Sequence, residues 1–151
     1  MTIPSILTWD YLLNFDCNPP TVMFSRTQET LDEYSKFKDK LIEANKTLPE
    51  HIVDKYFTSD DTKFAIVPND FPYTSAEGIQ HVLIWFNPND TELNSLLPKS
   101  FNHESNKAYV ESLLYKDERY NGKEFVMWEN LASNKSIQEI RHIQIFVKMN
   151  D

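Results

Sequence analysis

Two segments of this chain, residues 80–86 and 141–147, alternate with a period of two, and that pattern narrows the fold more than any other feature. Successive side chains of a β-strand point to opposite faces, so one parity collects Val82, Ile84 and Phe86 in the first segment and Ile143, Ile145 and Val147 in the second. These six define a core-facing side. The opposite parity carries His81, Leu83 and Trp85, and His142, Gln144 and Phe146. Polar groups interleaved with aromatics on that second face describe a binding surface, with a histidine near the mouth of each strand.

The remaining periodic segments are mostly helical. Thr8 can cap a short helix over Trp9–Leu13, ended by Asn18-Pro19-Pro20. From about Thr27 to Lys46, Leu31, Tyr34, Phe37, Leu41 and Ile42 recur at helical spacing, with charges on the other face. Thr47-Leu48-Pro49-Glu50 has the form of a capping box: the threonine hydroxyl accepts from the third helical N–H, and the glutamate reaches back to the threonine N–H. Strands are predicted over Phe64–Val67 and Glu124–Trp128. A short helix capped by Asn89 or Asp90 is predicted over Leu93–Leu97, and a further helix around Tyr109, Val110, Leu113 and Leu114. Residues 58–62 and 116–123 are expected to be mobile connections, and an Asn- and Ser-rich loop precedes the final strand.

This order implies an α+β fold: one domain over residues 1–151, with a mainly antiparallel sheet of three to five strands covered by helices, expected on one face. At 151 residues and 40% hydrophobic content the chain can fill a single core. Fifteen basic against 23 acidic residues give a net charge of −8, without a basic stripe. Nucleic acid and anionic membrane are therefore poor partners, because both require a concentrated positive footprint.

Only Gly78 and Gly122 occur, too few for the glycine-rich phosphate cradles of the usual dinucleotide and P-loop sites. Cys17 is the single cysteine, which excludes an intrachain disulfide and any multi-thiolate zinc site. The first 15 residues lack a basic leader segment and contain Asp10, so they do not read as a signal or transit peptide. A cytoplasmic location, with nuclear access open, is the expectation.

Imidazole titrates near neutral pH, so His81 and His142 on one sheet face are candidates for an acid–base pair, provided the two rings converge on one concavity. Hydrogen-bonded structural histidines at a sheet end account for the same pattern. Phosphoesterases built on two strand histidines place a hydroxyl two residues after each one; here those positions are Leu83 and Gln144. Asp70 or Glu129 could join the histidines on a metal, but no ligand spacing supports such a site and no metal or cofactor is assigned. The block Asn69-Asp70-Phe71-Pro72-Tyr73 reads either as a pocket rim or as a proline-fixed turn with its aromatics in the core. Trp85 and Trp128 face the same choice. His51 and His103 read as surface residues, and Arg26 and Arg141 as anion anchors.

Taken together, Asn69-Asp70-Phe71-Pro72-Tyr73, the histidine eight residues further on, Trp85-Phe86, Trp128 with Asn130, and His142-Ile143-Gln144-Ile145-Phe146 resemble a fungal family named for induction by N-acetylglucosamine. The resemblance runs from the Thr8-Trp9 helix to Phe146. It implies a sugar-responsive setting for expression and supplies no reaction. The site expected from the sequence has His81 and His142 as catalytic groups and Asn69, Asp70, Tyr73, Trp85, Trp128, Asn130 and Gln144 as ligand-binding groups. The function expected is binding of a small molecule, a sugar or a phosphorylated metabolite, with a histidine-based hydrolase as its enzymatic form. The alternative is a noncatalytic regulatory or protein-interaction module.

Overall fold

A computed structural model describes residues 3–131 and 140–150. Its centre is a four-stranded antiparallel sheet built from β1 (Phe64–Pro68), β2 (Ile79–Phe86), β3 (Phe125–Trp128) and β4 (His142–Lys148), in the order β1-β2-β4-β3. The two alternating segments are thus the central pair. In their register Val82 faces Ile145 and Ile84 faces Ile143, so the apolar parities coincide on one side of the sheet. Phe125 and Met127 of β3 and Ile66 of β1 fall on the same side through their own registers.

Among the described residues five α-helices accompany the sheet: α1 (Trp9–Leu12), α2 (Gln28–Glu43), α3 (Leu48–Tyr56), α4 (Thr91–Leu96) and α5 (Lys107–Leu114). The result is an α+β domain. Val110, Leu113 and Leu114 of α5, with Phe101 and Tyr120, close over the Val82–Ile84–Ile145 side. Burying each such side chain contributes roughly 1.5–3 kcal/mol, so this layer is the main stabilising core.

The expectation of helices on one face needs correction, because both faces are covered. Leu12 of α1, Leu7 and Phe24 pack on Val126, Trp128 and Phe146, while Ile52 of α3 and Phe57 pack on Leu83 and Trp85. The reason lies in the second parity itself, which holds enough apolar surface in Leu83, Trp85, Phe146, Val126 and Trp128 to need its own cover.

Helix boundaries follow their caps. Thr27 accepts from the Thr30 N–H at 3.1 Å to start α2, and Asn45 at φ +56° stands just beyond its end. Thr47 and Glu50 form the reciprocal capping box of α3, with Pro49 in its first turn. Asp90 caps α4 through the Leu93 N–H at 2.9 Å. Gly78, at φ +86°, turns the chain into β2, and a β-carbon there would collide with the Asn150 side chain.

The segment 116–123 is better anchored than expected. Tyr120 is fully buried, Arg119 donates to the Ile66 carbonyl at 3.3 Å, and Tyr115 donates to the Lys123 carbonyl at 2.7 Å. Most of the Asn- and Ser-rich loop expected before β4 lies outside the described residues.

Candidate functional site

The site is built on the second face of the sheet. Two cross-strand registers, His81 opposite Phe146 and Trp85 opposite His142, flank a middle row in which Leu83, Gln144 and Trp128 lie side by side. The two histidines are therefore two rows apart, about 13 Å along the strand axis at roughly 3.3 Å per residue. They share a face without meeting.

His81 is held on every side. The Tyr73 N–H donates to its Nδ1 at 3.2 Å, so that nitrogen carries no proton, and the Nε2–H donates to Gln144 Oε1 at 2.5 Å. Tyr73 and Phe146 stack on the ring at centroid distances of 5.0 and 4.3 Å, and Trp128 continues the column beyond Phe146 at 5.2 Å. Burial makes the charged form costly and lowers the His81 pKa from the ordinary 6.5 to about 3; the bond to Gln144 only partly opposes this.

The same contacts explain the Asn-Asp-Phe-Pro-Tyr block and its spacing to the histidine. The Asn69 N–H pairs with the His81 carbonyl at 2.9 Å, and Asn69 Oδ1 accepts from the Phe71 N–H at 2.9 Å, an Asx-type turn. Two residues later the chain presents the Tyr73 N–H to the imidazole. The block is thus a loop folded around one ring, and its outer side forms part of a pocket wall.

That pocket is a cavity of about 340 Å³, within the range for small-molecule sites. Its floor is the sheet: Val67, Leu83, Trp85, His142 and Gln144. One wall is α2, through Leu31, Tyr34, Phe37 and Lys38, and another is α3, through Leu48, His51, Ile52 and Tyr56. Met23, Arg26, the 68–71 loop, Tyr73 and Asn130 complete it.

Of the residues expected from the sequence, Asn69, Asp70, Tyr73, Trp85, Asn130, His142 and Gln144 line this cavity. His81 and Trp128 do not. Trp128 is fully buried, with Nε1–H donating to Asn130 Oδ1 at 2.8 Å, so it supports a lining residue from behind. His81 borders a separate, more open groove with Thr27, Thr30 and Thr74, which shares Pro68, Asn69 and Tyr73 with the cavity. It reaches the cavity through the lining residues it holds, Gln144, Tyr73 and Asn69. With Gln144 Oε1 fixed on His81, the side-chain amide has its NH₂ left to present as donor.

His142 donates from Nδ1–H to the Ile140 carbonyl at 3.0 Å and packs against Trp85 at 4.4 Å. His51, expected to be a plain surface residue, lines the cavity against Phe37 at 4.9 Å, and burial lowers its pKa. Tyr34 and Phe37 close over Phe71 at 4.7 and 5.3 Å. The α2 stripe was legible in the sequence, but nothing in the periodicity said what it would cover.

Arg26, expected as an anion anchor, lies at the cavity. Its guanidinium sits 4.5 Å from the Tyr73 ring, and Nε–H donates to the Phe71 carbonyl at 2.7 Å. Arg141, the other expected anchor, is committed elsewhere. It makes a two-pronged pair with Glu129 at 2.8 and 3.0 Å, donates to the Pro98 carbonyl at 2.6 Å, and covers the Phe101 ring. Glu129 also accepts from the Phe101 N–H, so the carboxylate considered for a metal serves this buried network. Among the described residues no group of three His, Cys, Asp or Glu side chains is placed to hold a metal ion. Cys17 is half-buried, and burial followed by the Asp16 charge pushes its thiol pKa up, away from nucleophilic reactivity. No helix among the described residues is long and apolar enough to cross a membrane.

The crystal structure of HTC1 is similar, with a TM-score of 0.67, covering 95% of this chain and 86% of that one at 17% identity, a likeness of fold alone. A search of curated proteins finds no match. The match of residues 8–148 to the family model described as Protein of unknown function (DUF3605) covers nearly the whole α+β domain, and the chain belongs to that family.

Proposed function

We propose that this domain binds a small organic molecule in the cavity between the second sheet face, α2 and α3. The observation that carries the proposal is the cavity itself: about 340 Å³, walled by six aromatic side chains, with a few polar groups at fixed positions. Tyr34, Phe37, Tyr56, Phe71, Tyr73 and Trp85 suit a ring-shaped ligand, sugar or planar. Gln144, His142, Asn69 and Asn130 supply directional hydrogen bonds. The sequence resemblance to a family named for N-acetylglucosamine induction also favours a sugar or sugar derivative.

The proposal is binding, and it gives the histidines different work. A ring that stays neutral down to about pH 3 neither takes up nor releases a proton at neutral pH, so His81 is assigned to positioning: it orients Gln144 and ties down the 69–73 loop. His142 is assigned direct contact with the ligand. The two-imidazole hydrolase expected from the sequence loses one of its two titrating groups.

A thermal-shift screen of amino sugars, sugar phosphates and nucleotides tests the proposal. A ligand at a hundred times its Kd stabilises by about 3 kcal/mol, or roughly 5–10 °C for a domain of this size. Flat melting curves throughout the screen would favour the interaction-module alternative.

A further inference from the structure

Resting on that binding reading, we infer that the cavity selects an organic anion, a carboxylate or phosphate ester carried on a ring-sized body, with Arg26 as the residue that holds the charge. Arg26 is mounted rather than paired. Its Nε–H is fixed on the Phe71 carbonyl at 2.7 Å, its guanidinium lies over Tyr73 at 4.5 Å and 6.0 Å from the Tyr34 ring, and no described carboxylate forms an ion pair with it. The Tyr73 hydroxyl also interacts with the guanidinium, so Nε and that contact fix its orientation while the remaining N–H donors of the group can meet a planar or tetrahedral oxyanion.

The surroundings agree in sign. Lys38 Nζ stands 4.6 Å from the centre of the Tyr34 ring, and Lys38 also lines the cavity. Among the described residues Asp70 is the one carboxylate in the lining, and it is paired with Lys55 at 3.5 Å. A net positive patch is therefore maintained within a chain whose overall charge is −8, the reverse of what an incidental surface would show. Gln144 adds to this preference, because His81 takes its oxygen and leaves its amide NH₂ to donate to an acceptor-rich ligand. An organic cation is disfavoured despite the aromatic walls, since Arg26 and Lys38 already occupy two of the ring faces.

Two fluorescent probes with the same ring body separate charge from shape: anilinonaphthalene sulfonate, an anion, and N-phenylnaphthylamine, its neutral counterpart. Titration of each into the intact domain, read through energy transfer from tryptophan, should show the sulfonate binding at least about ten-fold more tightly, an advantage that shrinks as salt rises toward about 0.5 M. Arg26→Gln should erase that advantage, read as the ratio of the two probes' affinities for the same protein, and Arg26→Lys should keep most of it. Glucose 6-phosphate and phenylacetate should then displace the sulfonate where glucose and benzyl alcohol do not. Equal affinity for both probes, or an Arg26→Gln protein that still prefers the sulfonate, overturns the anion inference while leaving the cavity reading in place. Failure of both probes to bind overturns both.

Discussion

Acidification should destabilise this domain through His81 in an amount that can be isolated. In the folded state the ring remains neutral down to about pH 3, while in the unfolded chain it takes up a proton near 6.5. Below pH 6.5 the unfolded state thus binds one more proton than the folded state, so stability from this residue is complete above 6.5 and is lost as pH falls toward 3. Each pH unit in that window removes ~1.4 kcal/mol, and the loss between pH 7 and pH 4.5 is about 3 kcal/mol. The carboxylates titrate in part of the same range, so the comparison requires a variant. His81→Asn keeps an acceptor for the Tyr73 N–H and removes the titration, and its stability should fall by about 3 kcal/mol less over the same interval. Urea unfolding of both proteins at the two pH values measures the difference, and the imidazole proton resonances of the wild-type protein report the ring directly. A His81 resonance that titrates near 6.5 in the folded protein, or parallel pH profiles for the two proteins, would refute the locked-ring account.

Other parts of the structure carry their own expectations. Arg141→Met removes the two-pronged guanidinium from the buried Glu129 carboxylate and should cost about 1.5–3 kcal/mol by chemical denaturation, without altering ligand-induced stabilisation, since neither residue lines the cavity. The Tyr120 hydroxyl is buried without a hydrogen-bond partner among the described residues, so Tyr120→Phe should be neutral or stabilise by about 1 kcal/mol; a loss above that size would reveal a partner. Thr47→Ala breaks the capping box of α3 and should cost about 1 kcal/mol, seen as a fall of a few degrees in Tm.

The sheet was legible because its two central strands repeat every two residues and because their apolar parities must face one core. The α3 boundary was legible because a capping box is a local device whose partners lie three residues apart. The second helical layer was harder to see. Leu83, Trp85 and Phe146 read equally well as a binding surface and as a second core, and the structure divides them: Trp85 and Leu83 border the cavity, while Phe146 is sealed in the ring column with Tyr73, His81 and Trp128. The same ambiguity hid the different surroundings of the two histidines, since strand parity specifies a face and says nothing of what packs against it. His51 and the Tyr34–Phe37 pair escaped notice as cavity residues because a helical stripe identifies its apolar side without naming its neighbour. Arg141 could not be separated from Arg26 in the sequence, because the position that pairs with it, Glu129, is 12 residues away in the chain and no local pattern links the two.

The central claim, that the space between α2, α3 and the sheet takes up a small molecule, is tested most directly by filling that space. Val67 lines the cavity from the edge strand, so Val67→Trp should occupy part of the void and leave the opposite core untouched. Ligand-observed NMR of a fragment mixture on both proteins should give binders to the wild type that compete for one site and vanish in the filled variant, with both proteins folded. Fragments that bind the filled variant equally well, or a wild-type protein that binds none, would contradict the account.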